Sequence, residues 1–150
     1  MGRNALAGVA EKVPELEAFA GRWTLERVID DAKAGERLTA EGTAVFAQEG
    51  DGLVYDEAVE MTLGDGRRLS GTRRYLWRPR PEGGIAVCFE DGRLFHRIAT
   101  EGLIQEDRHD CAPDLYVGAY DFTGWPEFRV RWQVSGPRKD YRMVTVYRRA

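Results

Sequence analysis

From residue 21 to its end the chain is broken at short intervals by turn signals. Glu49-Gly50-Asp51-Gly52, Gly64-Asp65-Gly66, Pro81-Glu82-Gly83-Gly84, Asp91-Gly92 and Ser135-Gly136-Pro137 separate short strand-like runs. This spacing reads as antiparallel hairpins, hence an all-β sandwich or barrel. The runs predicted as strands are 22–30, 38–47, 53–62, 67–78, 84–90, 93–99, 104–111, 115–122, 127–135 and 140–149. Ahead of them, residues 13–19 read as a short helix. Pro14 suits a first turn, acidic residues follow it, Leu16 and Phe19 share a face, and Gly21 ends it. Residues 1–12 read as a loose tail.

Composition narrows the function classes. At 150 residues, one domain with a real core is expected, without disulfides or a structural metal. The 22 basic residues are outnumbered by 25 acidic ones, so net charge gives no reason to expect nucleic acid. The local basic stripe of Arg67, Arg68, Arg73, Arg74, Arg78 and Arg80 reads as a solvated hairpin face. Cys88 and Cys111 make no disulfide framework. The first twenty residues lack a long apolar core, being interrupted by Glu11, Lys12, Glu15 and Glu17. No run approaches the ~18 apolar residues of a membrane span. The expectation is a cytoplasmic protein with reduced thiols and no membrane or nucleic-acid partner.

Strand parity says which side chains face inward. In the first strand Trp23, Leu25 and Ile29 share a face, and Arg27 falls on it. In the third, Glu57 falls among Leu53, Tyr55, Val59 and Met61. In the fourth, Arg73 falls among Leu69, Gly71, Tyr75 and Trp77. Three strands thus each place one charge on an apolar face. An unpaired charge there is costly, so the three are expected to meet one another, a ligand or trapped water.

Two hairpins extend the set. If Asp91-Gly92 is a two-residue turn, Glu90 pairs with Arg93, Phe89 with Leu94 and Val87 with His96. His96 then points inward with Ile85, Val87 and Phe89. If Ala112-Pro113 makes the next connection, Cys111 faces Asp114 and His109 faces Tyr116, on the aromatic side with Tyr120 and Phe122. The expected lining is Arg27, Tyr55, Glu57, Arg73 and Tyr75, together with His96, His109, Tyr116 and Tyr120. A polar, aromatic lining favours a ligand or waters over a dry core.

The Gly21-Arg22-Trp23 start resembles the calycin superfamily of lipocalins, fatty-acid-binding proteins and nitrobindin-like barrels. There a short helix precedes a Gly-x-Trp first strand, and the Trp plugs one end under a basic residue of the last strand. Arg148 or Arg149 is similarly placed here. The stretches 89–96, 109–116 and 136–140 look like a small calycin-like family of unestablished function. The resemblance implies a barrel of eight to ten antiparallel strands, capped at one end by the N-terminal helix. It supplies no catalytic residues. The second glycine-rich element of nitrobindin-like haem proteins is absent after Trp23.

The leading expectation is a small-molecule-binding barrel, its ligand an organic anion or polar aromatic near Arg27 and Arg73. One alternative is an enzyme using Arg27, Glu57, Tyr55 and Tyr75 for proton transfer on a small acid, as some calycin-like decarboxylases do. Others are a filled structural barrel whose charges form an ion network, and haem ligation through His96 or His109. No bound cofactor or metal is expected. His109, Asp110, Cys111 and Asp114 include zinc ligand types, but His109 and Asp110 point to opposite faces of a strand. Cys111 beside His109 lacks a group to orient the histidine.

Overall fold

The computed structural model of the protein describes residues 12–150. One 3-10 turn (Leu16–Phe19) precedes ten strands. They are β1 (Gly21–Asp31), β2 (Glu36–Glu49), β3 (Gly52–Thr62), β4 (Arg68–Pro79) and β5 (Ile85–Phe89), then β6 (Leu94–Ile98), β7 (Ile104–Cys111), β8 (Asp114–Asp121), β9 (Phe128–Ser135) and β10 (Asp140–Arg149). Every predicted strand is present. The helix expected over 13–19 is only the 3-10 turn. The Val13 amide donates to the Thr100 carbonyl at 3.1 Å, which engages the chain just ahead of that turn. Four residues remain, too few to carry the cost of a helical nucleus beyond one turn. The expected tail, Lys12 apart, lies outside the described residues.

All ten strands join one antiparallel sheet in the order β6-β5-β4-β3-β2-β1-β10-β9-β8-β7. The sheet curls until its edge strands, β6 and β7, lie side by side, which makes a nearly closed barrel. These edges share no backbone ladder and are joined by side chains. The Asp107 carboxylate accepts from the Arg97 amide at 2.7 Å. The Gln105 amide accepts from Ala99 N–H at 2.7 Å and donates to the Ala99 and Glu101 carbonyls at 3.0 and 2.9 Å. Two short polar side chains thus occupy edge groups that would otherwise template pairing with another chain.

One end of the barrel is plugged by aromatic residues. Phe19 is fully buried, its ring against those of Phe46, Trp77, Phe122, Trp125 and Phe128. Trp23 Nε1 donates to the Phe19 carbonyl at 2.9 Å. The Arg149 guanidinium lies 4.1 Å over the Trp23 ring and donates to the Ala18 and Ala20 carbonyls. The last strand therefore staples the 3-10 turn over the first. The other end is open: on the inner face of β4, exposure falls from Leu69, at 53%, to Trp77, at 4%.

The β5–β6 hairpin departs from the expected register. Phe89 N–H donates to the Arg93 carbonyl, and Gly92 takes a positive φ of 92°, which makes the loop three residues long. Phe89 therefore faces Arg93 rather than Leu94, and Cys88 faces Leu94. A register shift between Val87 and Cys88 restores the expected Val87–His96 pairing. Phe95 is the extra residue of that bulge, so Phe95 and His96 both line the interior although they are adjacent in sequence. The Ala112-Pro113 connection has the expected register, with Cys111 opposite Asp114 and His109 opposite Tyr116.

Candidate functional site

Between the plug and the open end lies a cavity of 320 Å³. Of the residues expected inside, Arg27, Tyr55, Glu57, Arg73 and Tyr75 line it, with His96 and Tyr120. His109 and Tyr116 do not. Phe95, turned inward by the bulge, stands in their way: its ring contacts His109 at 5.3 Å and Tyr116 at 6.3 Å, and stacks on Trp132 at 4.8 Å. The Tyr116 hydroxyl instead accepts from Lys139 Nζ at 3.0 Å, and Lys139 also reaches Asp114 at 3.2 Å.

The deepest charges form a closed network. Arg27 and Glu57 flank β2, whose inner residues at this level are Ala40, Gly42 and Ala44. Small side chains there leave room for the two to meet. The guanidinium donates to both carboxylate oxygens, Nη1 to Oε2 at 2.7 Å and Nη2 to Oε1 at 2.9 Å. Arg27 Nε donates to Thr145 Oγ1 at 2.8 Å. The Tyr55 hydroxyl donates to Glu57 Oε1 at 2.5 Å and meets the Tyr147 hydroxyl at 2.8 Å. Burial pushes the Glu57 carboxyl upward, but the bonds and charge of Arg27, then Tyr55 and Arg73, outweigh it and hold it below its usual range. Burial also works against the Arg27 charge, and the Glu57 contact more than offsets it. Glu57 is therefore an ionised partner of Arg27 rather than a proton donor, which weakens the acid–base alternative.

Arg73 does not join this network, contrary to expectation. It is register-paired with Glu57, yet among the described residues no carboxylate lies within 4.0 Å of it. Both Glu57 oxygens are already taken by Arg27 and Tyr55. Arg73 is exposed at the open end, with Nη1 donating to the Tyr75 hydroxyl at 3.1 Å. Arg73 is also part of the cavity lining. Asp31 lines the same entrance from β1, and its Oδ1 accepts from the Ala34 amide at 3.0 Å.

His96 is 4% exposed. Its Nε2 pairs with the Tyr120 hydroxyl at 2.9 Å, while Nδ1 is buried without a hydrogen-bond partner. Burial drives its pKa down to about 3; Asp107 opposes the shift and His109 adds to it. The ring is neutral at physiological pH. Burial likewise lifts the Tyr120 hydroxyl well above its usual range, so it keeps its proton. With Nε2 engaged and Nδ1 enclosed, neither nitrogen is presented to a haem iron. Among the described residues no cluster of three His, Cys, Asp or Glu is arranged to hold a metal ion.

Several lining residues were not anticipated. Tyr141, Met143, Thr145 and Tyr147 alternate along β10, and Trp132 lies opposite Gly118 on β9. The β10 set was legible in principle: Arg27 stands directly across from Thr145, so the inner face of β1 selects the inner face of its partner.

The arrangement defines a class: an all-β, nearly closed barrel of ten antiparallel strands around a small aromatic cavity, with Arg73, which has no carboxylate partner among the described residues, at its entrance. The chain belongs to a family of unknown function, DUF6314, whose profile matches residues 19–149. That span starts at the plugging Phe19 and ends at Arg149, which staples it. No curated protein matches the chain. Among the described residues no helix is long and apolar enough to cross a membrane.

Proposed function

We propose that the protein binds a small organic acid, with the anionic group at Arg73 and the body in the aromatic cavity. The observation that carries this reading is Arg73 itself. It borders the cavity without a carboxylate partner, beside the Tyr75 hydroxyl. Arginine beside hydroxyl donors suits a carboxylate. Volume sets the size class. At about 30 Å³ per water, 320 Å³ holds roughly ten waters, enough for one ring with short substituents and too little for a long acyl chain. The resemblance to calycin barrels supports the reading, since those hold small molecules inside the barrel. The free thiols Cys88 and Cys111 suit a cytoplasmic location.

Native mass spectrometry of the protein as purified, followed by thermal melts against small aromatic and aliphatic acids, tests the proposal. A true ligand raises the melting temperature with the logarithm of its concentration. Arg73→Met is expected to weaken carboxylate binding by about 2 kcal/mol while leaving the unliganded fold intact, because no ion pair is lost. Unchanged acid affinity in Arg73→Met would sink the proposal, as would a panel in which no acid shifts the melt.

A further inference from the structure

We propose that His96 and Tyr120 form a hydrogen-bond donor subsite on the cavity wall, so that the ligand carries a neutral acceptor oxygen as well as its anionic group. This rests on the binding proposal above and specifies the other end of the molecule.

The argument is one of proton counting. His96 Nε2 and the Tyr120 hydroxyl are 2.9 Å apart, and one proton lies between them. The ring is neutral, so it carries a single N–H. If the hydroxyl donates to Nε2, the ring proton sits on Nδ1, which is buried and has no acceptor. An orphaned buried N–H is among the rarest features of folded proteins. If Nε2–H donates to the Tyr120 oxygen instead, only a lone pair is left at Nδ1, and the tyrosine proton is free. Tyr120 lines the cavity and has no other partner among the described residues, so that proton is available to an acceptor inside. In the Arg27–Glu57 network, by contrast, the tyrosine protons are already spent, that of Tyr55 on Glu57 and that of Tyr147 on Tyr55. Arg73 and Tyr120 are thus two places on the cavity lining where a ligand gains bonds without breaking any within the protein. A ring bearing a carboxylate and a carbonyl fits the volume.

The tautomer is tested first, without any ligand. Nitrogen-15 NMR of the unliganded protein is expected to show His96 protonated at Nε2; protonation at Nδ1 overturns the subsite. Affinity is tested with isosteric pairs, 3- and 4-acetylbenzoate against 3- and 4-isopropylbenzoate. The better acetyl compound is expected to bind about tenfold tighter than its isopropyl counterpart, the worth of one hydrogen bond. Tyr120→Phe is expected to abolish that ratio while still binding both, and Arg73→Met to weaken both alike. Equal binding of each pair, or a ratio that survives Tyr120→Phe, overturns the subsite and leaves the binding proposal standing. Failure of every acid on the wild-type protein overturns both.

Discussion

Arg27 and Glu57 grip each other across a strand that separates them. They sit on β1 and β3, and the bidentate contact at 2.7 and 2.9 Å passes over Ala40, Gly42 and Ala44 of β2. The pair consumes the strongest charges of the interior. Of the two arginines that line the cavity, it leaves Arg73, at the entrance, without a carboxylate partner among the described residues. The two charges thus offset each other in the cavity wall, and in the proposed binding mode the charge offered to a ligand is that of Arg73.

Glu57→Gln is expected to destabilise the protein by about 3–5 kcal/mol at neutral pH, because it strands a buried guanidinium. The sign with pH follows from the lowered carboxyl. A carboxylate held below its ordinary value of 4.5 contributes stability above that pH and loses it as the pH falls through the lowered folded value. The gap between wild type and Glu57→Gln, measured by urea melts, should be constant from pH 7 to 5 and shrink below 4.5. A gap that widens on acidification would refute the assignment.

Phe19→Ala should cost about 3–5 kcal/mol, the range for emptying an aromatic core site. Phe19 is fully buried among five aromatic rings, so little can collapse into the space. Its carbonyl also receives Trp23 Nε1, and the backbone of that bond survives the substitution. A loss under 1 kcal/mol in a denaturant melt would show that the plug is dispensable.

The fold was legible because its punctuation is chemical. Turn residues marked five of the nine connections between strands, and two-residue alternation put Arg27, Glu57, Arg73 and His96 on the inner face. What escaped depends on single-residue backbone geometry and on reach. Asp91-Gly92 admits two loop lengths. The longer one, with its compensating bulge, turned Phe95 inward and shut His109 and Tyr116 out of the cavity. Parity assigns a face but no distance, so it could not tell that Glu57 takes Arg27 across β2 rather than its direct neighbour Arg73. The Gln105 and Asp107 contacts that join β7 to β6 were invisible for the same reason: both read as ordinary strand polar residues.

Buried, neutral His96 makes the fold acid-sensitive. Its folded pKa of about 3 lies far below the unfolded value of 6.5. Between those values the unfolded chain binds a proton that the folded one does not. Stability is therefore full above pH 6.5 and falls as the pH drops toward 3, by up to about 1.4 kcal/mol per pH unit from this group. His96→Gln keeps a side chain able to bond Tyr120 and removes the titration. Between pH 7 and 5.5 the variant should lose clearly less stability than wild type. Parallel curves would mean that His96 titrates alike in both states.

Gly118→Ala links packing to binding. Gly118 lies on the inner face of β8, opposite Trp132. A Cβ there would come within 2.5 Å of the indole Cη2, so the ring has to move. Trp132 is stacked on Phe95 at 4.8 Å and meets the His96 ring at 4.9 Å, and all three line the cavity. The new methyl therefore displaces a wall of the proposed site. Overpacking of this kind costs about 1–3 kcal/mol of stability. Gly42→Ala provides the contrast. Its Cβ would fall 2.0 Å from the Ala58 carbonyl oxygen, a backbone atom held in the β2–β3 ladder, so that variant should be far less stable and yield little folded protein. For Gly118→Ala the expected outcome is a folded barrel, a modest drop in melting temperature, red-shifted tryptophan fluorescence and weaker binding of ring-bearing acids than of acetate-sized ones. Unaltered fluorescence and unaltered ring-acid affinity together would place the ligand away from Trp132.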